Sequence, residues 1–526
     1  MDNVKFTIVI PTRNRSETLK YCLMTCINQN YNNYEIIVSD NCSSDNTKEV
    51  VKSLNCNKIR YYKTKEVLPM TKNYQFALEK VKGEYVIYLG DDDGLHFHAL
   101  DLLNEVINLV RVPVINWRLD HYEWPGYLLR NFENLIKISN VSSSTKSGFF
   151  SGKEKIKKVL KFEEKFNVLP MLYMNSAIKV DFIKQIEEKN VGIFDSCEPD
   201  VYSGLVTAYY VKEYFYLNFP VSIGGSSKNS TGMTQITALK ENKITHEFNE
   251  LNKKFGLEFK PTFYKITFSE TSLVDDAIRY AFNKFLPQND EFIVDYKALI
   301  VNLVNDVKQC CEYYYEETEA VFKEILEYIY ETVKDKFSEE ITLFFKNEIL
   351  KKLKPLKKYD FDKRFLPHFD KDYLILDGNK FKVADIYGAA QISDMVLNFD
   401  ERVNEYKGKL KKVTRCMNEI SKYKNIGICG ANCHGKILVK LLKNINDVEE
   451  HNIYFFDSDK NKWGTKIEQY TINNLELIKK MNIDKVVICS YTYQEEIYET
   501  LKDLIDDSRI MKLYERDEEF YFDILV

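Results

Sequence analysis

The chain has 526 residues, 44% hydrophobic and 29% charged, with 74 basic against 79 acidic side chains for a net charge of -5. That composition describes a globular, soluble chain, and the slight acidic excess argues against a general nucleic-acid binder. The length suits roughly three domains, each able to bury its own core.

No charged-then-apolar leader follows Met1 and no apolar run approaches the ~20 residues of a membrane span, so a cytoplasmic location is expected. The 11 cysteines are odd in number and form no CxxC, which reads as reduced core thiols with neither a disulfide framework nor a zinc site.

Phe6 to Ile10 is a β-rich run stopped by Pro11, followed by the loop TRNR. Ser16 can cap a helix whose apolar positions Leu19, Cys22, Leu23, Cys26 and Ile27 keep helical spacing. Glu35 to Val38 predicts a second strand that ends at Asp40, Asn41, Ser43, Ser44 and Asp45, before a helical stretch from Thr47 to Leu54. A third strand, Ile59 to Tyr62, precedes Thr71, a candidate N-cap, and a helix ended by Gly83. The alternation predicts a parallel sheet with right-handed crossovers.

The run Glu84 to Leu89 then reads as a central strand with Asp91, Asp92 and Asp93 at its carboxyl end, where an open α/β sheet places its ligand crevice. Adjacent carboxylates repel one another, and a hard divalent cation, Mn²⁺ or Mg²⁺, relieves them while taking its other ligands from substrate phosphates. Asp40 could accept from a pyrimidine imide, and Arg13 and Lys72 are candidate partners for a diphosphate. Together these loops describe a nucleotide-diphosphate site.

Four motifs in order, IVIPTRNR (Ile8 to Arg15), EIIVSDNCSSDNT (Glu35 to Thr47), KNYQFALEKVKGEY (Lys72 to Tyr85) and YLGDDDGL (Tyr88 to Leu95), resemble those of the family 2 glycosyltransferases with the GT-A fold. The resemblance covers about the first hundred residues. It implies that Asp40 contacts the base and that aspartates at the DxD position hold a divalent metal on the donor diphosphate. Pro11, Thr12, Arg13, Asp40, Asn41, Lys72, Asn73, Asp91 and Asp92 are the donor-binding set that follows from the motifs. The family often reads LDxDD, whereas Gly90 stands at the first of those aspartates, which makes Asp92 and Asp93 the metal candidates, with Asp91 entering through the alternative register Asp91-x-Asp93.

An inverting transferase also needs a general base for the acceptor hydroxyl, which the family places downstream near a helix start. Asp200, in CEPDVYSG, suits that role, with Asp195 and Glu198 as alternatives and helix capping as the competing reading. Trp117, Tyr122, Trp124 and Tyr127 fit an acceptor platform or, as the safer reading, a satellite core. Ile223 to Gly232, rich in glycine and serine, could fold over a diphosphate as a lid or be an ordinary loop. His246 is a weak candidate for completing a metal shell.

From about Ser269 onward, long amphipathic stretches (Tyr296 to Tyr315, Glu316 to Lys336, Glu339 to Lys352) predict a helical region, for which packing or subunit contact is the default reading. Asn425 begins a second α/β unit with a glycine turn at Gly430 and Gly435, and with Asp457 about 20 residues past it, as a ribose-binding acid would stand. A P-loop fails there because Ile437 replaces the magnesium-binding Ser or Thr. The unit resembles the Rossmann-like domains appended to sugar C-methyltransferases, although its turn departs from GxGxxG.

The expected fold class is therefore α/β: a GT-A nucleotide-sugar-binding domain over 1–265, a helical linking region over 266–422, and a small Rossmann-like α/β domain over 423–526. The expected function is metal-dependent, inverting transfer of sugar from a nucleoside-diphosphate donor, UDP-sugar foremost, to a saccharide or lipid-linked acceptor of surface polysaccharide. No nucleic acid and no transmembrane segment are expected, and peripheral contact with a membrane's inner face and homo-oligomer formation stay open. A nucleotidyltransferase and a non-catalytic nucleotide-sensing assembly protein are the competing classes.

Overall fold

The structure, a computed structural model, describes residues 3–126, 133–139, 146–230, 243–313, 318–357, 367–369, 372–445 and 451–514. Its first sheet begins with β1 (Phe6–Thr12), β2 (Tyr34–Asp40), β3 (Ile59–Lys63) and β4 (Tyr85–Tyr88), all parallel, with β1 between β2 and β4. Helices α1 (Ser16–Ile27), α2 (Thr47–Ser53) and α3 (Met70–Leu78) connect them. Every residue of β1 and β4 is buried, as the continuous apolar runs require of strands covered on both faces.

Beyond β4 the sheet becomes mixed, which corrects the expectation of a parallel sheet. After β5 (Gly94–Leu95), helix α4 (Ala99–Val110) leads to β6 (Val114–Glu123), β7 (Leu135–Ser139) and β8 (Gly148–Ser151). Strand β9 (Ser176–Lys179) then inserts antiparallel between β4 and β6. Helices α5 (Gly152–Leu160), α6 (Val180–Glu187) and α7 (Pro199–Tyr210) precede the long β10 (Glu213–Ser226), which pairs in parallel with β6 and antiparallel with β5 and β8.

Four local expectations are corrected. Pro11 does not stop β1, which continues to Thr12 paired with Asp40, because β4 has already ended and no neighbour needs a proline N–H there. Ser16 is the first helical residue of α1 rather than its cap; Asp45 accepts from its backbone N–H at 3.1 Å instead. Thr71 likewise lies inside α3, which Pro69 precedes. Gly83 ends no helix, since α3 stops at Leu78; a Cβ on Gly83 would lie 2.6 Å from the Thr7 backbone nitrogen, so the glycine serves close approach to β1.

The middle of the chain divides between two packings. Helix Glu270–Lys284 lies against α7, and its Val274, Ala277, Ile278 and Ala281 share a core with α5, α6 and α7. Helices Tyr296–Tyr313 and Thr318–Lys336 gather around Leu299, Leu303, Val307, Phe322 and Ile329 as a separate core. The chain then returns to the first sheet. Strands β11 (His368–Phe369) and β12 (Tyr373–Asp377) extend it through β7, and helix Ile386–Leu397 packs on α1.

Helix Phe399–Ile420 packs along α4 and carries the chain into a second sheet. That sheet comprises β13 (Asn425–Cys429), β14 (Asn452–Asp457), β15 (Lys466–Ile467), β16 (Tyr470–Asn474), β17 (Lys485–Ile488) and β18 (Ile510–Lys512). Its order is β15-β16-β14-β13-β17-β18, all parallel except β15. The two sheets do not stand apart: one apolar cluster runs from Val4 and Phe6 through Val413 and Met417 to Phe455 and Leu513, and Lys440 pairs with Glu213 at 2.6 Å. Among the described residues no helix is long and apolar enough to cross a membrane.

Candidate active site

Three consecutive carboxylates follow the carboxyl end of β4, against the loop after β1. Asp91, Asp92 and Asp93 are each 2% exposed or less, so their charges must be met by protein groups or by a ligand. Each is held by a different part of the chain. Thr12 Oγ1 donates to Asp91 Oδ2 at 2.6 Å, and Arg15 Nη1 stands 2.9 Å from Asp91 Oδ1. Ser227 Oγ donates to Asp92 Oδ2 at 2.7 Å. The backbone N–H groups of Gly90 and Gly225 each donate to Asp93 at 2.7 Å, on Oδ2 and Oδ1.

Burial pushes the Asp93 carboxyl up to about 8, with the neighbouring Asp92 charge adding to it. Asp91 is raised as well, by burial first, while Arg15 pulls it back. Burial works against the Arg15 charge, but Asp91 and Asp92 outweigh it and keep the guanidinium protonated. The loop thus carries more negative charge than its one arginine balances.

The segment expected to form a lid is in place differently. Ile223 to Ser226 are the end of β10, paired with Asp120 to Glu123 of β6, and only the residues after Ser226 leave the sheet. The glycine there is steric: a Cβ on Gly225 would run into the Asp92 carbonyl. Thr231 and Gly232 lie outside the described residues.

The structure puts the remaining sequence candidates in distinct settings. Asp40, 1% exposed, accepts from the Ser43 N–H at 2.7 Å and from the Tyr61 hydroxyl. Asn41 exchanges bonds with both backbone groups of Leu68, at 2.7 and 2.8 Å. Asn73 accepts from the Ser39 hydroxyl at 2.8 Å and donates to the Ser39 carbonyl at 3.3 Å, which ties α3 to the end of β2. Pro11 is buried in β1, while Arg13 is exposed on the loop after β1 and Lys72 is exposed in the first turn of α3.

Trp117, Tyr122 and Trp124 are at most 7% exposed and belong to the core, with the Trp124 Nε1–H bonded to the Asp92 carbonyl at 2.9 Å; Tyr127 lies outside the described residues. His246 is exposed on helix Lys243–Lys254.

Asp200 sits in the first turn of α7, with Pro199 as its first residue. Asp200 Oδ1 accepts from the Val201 N–H at 2.8 Å, and its charge reaches Tyr74 and Tyr173. Their phenols are raised well above the ordinary value by burial, and both feel Asp200 together with Asp93. Asp195 is instead tied to the Gly192 N–H at 3.0 Å, and its charge reaches Tyr202 and Tyr280. Burial raises the Asp200 carboxyl above the usual carboxylate range.

Sequence reasoning missed three groups here. Arg15 was passed over for Arg13, although its four-residue distance from Pro11 brings it back over the strand end. Ser227 lies in the glycine- and serine-rich segment read as a lid, but its bond to Asp92, like the approach of Tyr173, arises only through tertiary folding.

In the carboxyl-terminal sheet, Gly430 has φ of +105° and opens the turn before helix Cys433–Ile445. Asp457 Oδ2 accepts from the Ala431 N–H and from Lys462 Nζ, both at 2.9 Å, so the acid braces this turn from β14. A Cβ on Gly435 would lie 2.9 Å from the Gly430 carbonyl oxygen, which ties this glycine to packing.

Residues 7–155 match the family model described as "Glycosyl transferase family 2", and residues 421–511 match one described as "C2185-like, N-terminal". The latter is a different model from the sugar C-methyltransferase appendage expected from the sequence.

A GalNAc(5)-diNAcBac-PP-undecaprenol beta-1,3-glucosyltransferase of Campylobacter jejuni is 36% identical over 107 residues, which are 20% of this chain and 35% of that protein. The chain therefore spans about a third of that relative's length in the match. A cholesterol galactosyltransferase of Borreliella burgdorferi is 24% identical over 331 residues, 59% of this chain and 85% of that protein. The solved structure of S. aureus TarS residues 1–349 superposes with a TM-score of 0.36 at 12% identity, over 65% of this chain and 92% of that one. The similarity to family 2 glycosyltransferases thus lies in the amino-terminal part of this chain, residues 7–155.

Proposed function

We propose that the chain transfers a sugar from a nucleoside-diphosphate donor, UDP-sugar foremost, to a saccharide or lipid-linked acceptor, with Mn²⁺ or Mg²⁺ required and the anomeric centre inverted. The observation that supports this reading is the buried Asp91–Asp93 loop inside the matched segment 7–155, with Asp200, downstream of that segment, acting on the same two tyrosines as Asp93, Tyr74 and Tyr173. The printed substrates of the two relatives, an undecaprenol-linked glycan and cholesterol, favour an acceptor with a lipid part.

The carboxylates fit a divalent cation. Both bonds to the Asp92 side chain fall on Oδ2, which leaves Oδ1, on the Gly90 side, for an ion, and Asp93 Oδ2 keeps a second lone pair beside its one N–H donor. Among the described residues no three His, Cys, Asp or Glu side chains form a closed cage. That suits an ion which takes one or two carboxylates from the protein and the rest from substrate phosphates. When bound, such an ion neutralises the leaving diphosphate.

Asp200 then takes the proton of the acceptor hydroxyl as the hydroxyl oxygen bonds the anomeric carbon and the diphosphate departs. Its raised carboxyl makes it a better proton acceptor than an exposed aspartate. Arg15 keeps Asp91 ionised and the first loop closed over the acidic one. Asp40 holds the Ser43 N–H and the Tyr61 hydroxyl at the base end of the site.

The carboxyl-terminal domain is read as an assembly or acceptor-organising part. Asp457 is occupied by the turn it braces, and helix Cys433–Ile445 is anchored on the first domain through Lys440–Glu213 and Asn444 Nδ2 to the Val110 carbonyl at 2.9 Å.

A thermal-shift screen of nucleotide sugars with and without Mn²⁺ tests the reading, since a ligand of the folded state raises stability by RT ln(1 + [L]/Kd). A shift for UDP-sugars that needs Mn²⁺ is expected. No shift from any nucleotide sugar in Mn²⁺ would refute it.

A further inference from the structure

Gly90 is enclosed by oxygen. A Cβ on it would lie 2.6 Å from Tyr173 Oη, 2.8 Å from Asp93 Oδ2 and 3.1 Å from Asp92 Oδ1. Two carboxylate oxygens and one phenol oxygen thus already occupy the space a side chain would take and close around the Gly90 Cα. Among the described residues no hydrogen bond joins a protein group to the Tyr173 hydroxyl, and the residue is half-buried.

The bend that carries Tyr173 is fixed by its backbone. The Met174 N–H donates to the Tyr88 carbonyl at 2.7 Å, the Asn175 N–H to the Tyr173 carbonyl at 2.6 Å, and Trp117 Nε1–H to the Met174 carbonyl at 3.0 Å. Met174 adopts φ of +46°, a left-handed conformation that turns the chain at this point. The Tyr173 ring lies nearly parallel to Tyr74, with centroids 6.3 Å apart and planes at 22°. A side chain so fixed, with an unmatched hydroxyl over the acidic loop, is organised for a ligand.

We propose that Tyr173 is a donor-binding residue, whose hydroxyl, standing beside Gly90, hydrogen-bonds a phosphate oxygen of the nucleoside diphosphate. This inference rests on the functional reading above and adds a residue to it.

The chemistry favours a phenol at this point. A diphosphate oxygen needs a donor, and an ionised carboxylate can only accept. An aspartate at position 90, as in LDxDD, would place a fourth carboxylate beside the leaving group, whereas the tyrosine offers a neutral O–H. A phenol keeps its proton at neutral pH. Gly90 and Tyr173 are consequently a matched pair, because any side chain at 90 meets the hydroxyl.

The test measures binding of UDP and GDP by titration calorimetry, with and without Mn²⁺, in the full chain and three variants. Tyr173→Phe removes only the hydroxyl and should weaken the tighter Mn²⁺-dependent nucleotide about tenfold. Its binding of Mn²⁺ alone, read from the free-ion EPR signal, should not change, and neither should its unliganded melting temperature. Gly90→Ala displaces the hydroxyl and should give a similar loss. The double variant should be no weaker than either single one, since both changes remove one contact.

Wild-type nucleotide affinity in Tyr173→Phe, or additive losses in the double variant, would overturn the inference and leave the transferase reading standing. A wild-type chain that binds neither nucleotide with Mn²⁺ would overturn both.

Discussion

Arg15 Nη1 stands 2.9 Å from Asp91 Oδ1, and the same guanidinium donates through Nη2 to the carbonyl of Asn229 beyond β10. One side chain thus joins the loop after β1, the acidic loop after β4 and the segment after β10. The pair is largely buried, at 19% and 3% side-chain exposure. Removing one member of such a pair leaves the other charge without compensation, which costs about 3 kcal/mol.

Arg15→Ala should therefore lower the unfolding free energy by about that amount in urea titrations. Arg15→Ala/Asp91→Asn should recover most of the loss, because the stranded charge goes with its partner. A single variant as stable as wild type would show that the pair does not brace the site.

Asp200→Asn keeps the size of the side chain and its place in the first turn of α7. It should lower transfer by 10² to 10⁴-fold, the usual range for loss of a general base, while donor binding stays as in wild type. Initial rates and nucleotide affinity, measured together, separate the two effects. Full activity in Asp200→Asn with loss in Glu198→Gln would move the role to that neighbour.

His96 follows the acidic loop and is buried, with Nε2 3.1 Å from Asp120 Oδ2 and Nδ1 3.5 Å from Asp394 Oδ1. Burial opposes its charge, but hydrogen bonds to the two aspartates outweigh it and raise the ring from 6.5 to about 9. A folded-state value above the unfolded one means that the ion pair's stabilisation is complete below pH 6.5 and is lost as pH rises toward 9. The urea midpoint should fall across that window, and His96→Gln should flatten the fall. A wild-type midpoint that is constant from pH 6.5 to 9 would contradict the pairing.

The second sheet offers a prediction about stoichiometry. Because Asp457 accepts from Ala431, Asp459 and Lys462, the account expects its carboxylate to serve the turn alone. Calorimetry on the full chain should give one UDP per protein in wild type and in Asp457→Ala alike. Two sites in wild type, falling to one in Asp457→Ala, would make the second domain a nucleotide site.

The amino-terminal strands and the acidic loop were legible because parallel strands buried on both faces leave unbroken apolar runs, as Phe6 to Ile10 and Tyr85 to Leu89 do. The motifs also placed Asp40 and Asp91–Asp93 at strand ends, where the structure has them. What local pattern could not convey was pairing across the chain. The antiparallel β9, the return of Tyr373–Asp377 to the first sheet and the contacts of Ser227 and Tyr173 all depend on partners more than forty residues away. Glycines misled for the same reason: Gly83 and Gly225 look like a helix end and a flexible lid, yet each is fixed by a distant backbone that would meet a Cβ.

The account turns on Asp92 and its Oδ1, so the most direct measurement is release of UDP from a UDP-sugar, followed with Mn²⁺ and with excess EDTA, in wild type and Asp92→Asn. The predicted result is free UDP in Mn²⁺ only, with release lost in Asp92→Asn although its melting temperature is no lower than wild type. UDP release that persists in EDTA or in Asp92→Asn would contradict the metal assignment, and pyrophosphate as the product would contradict sugar transfer itself.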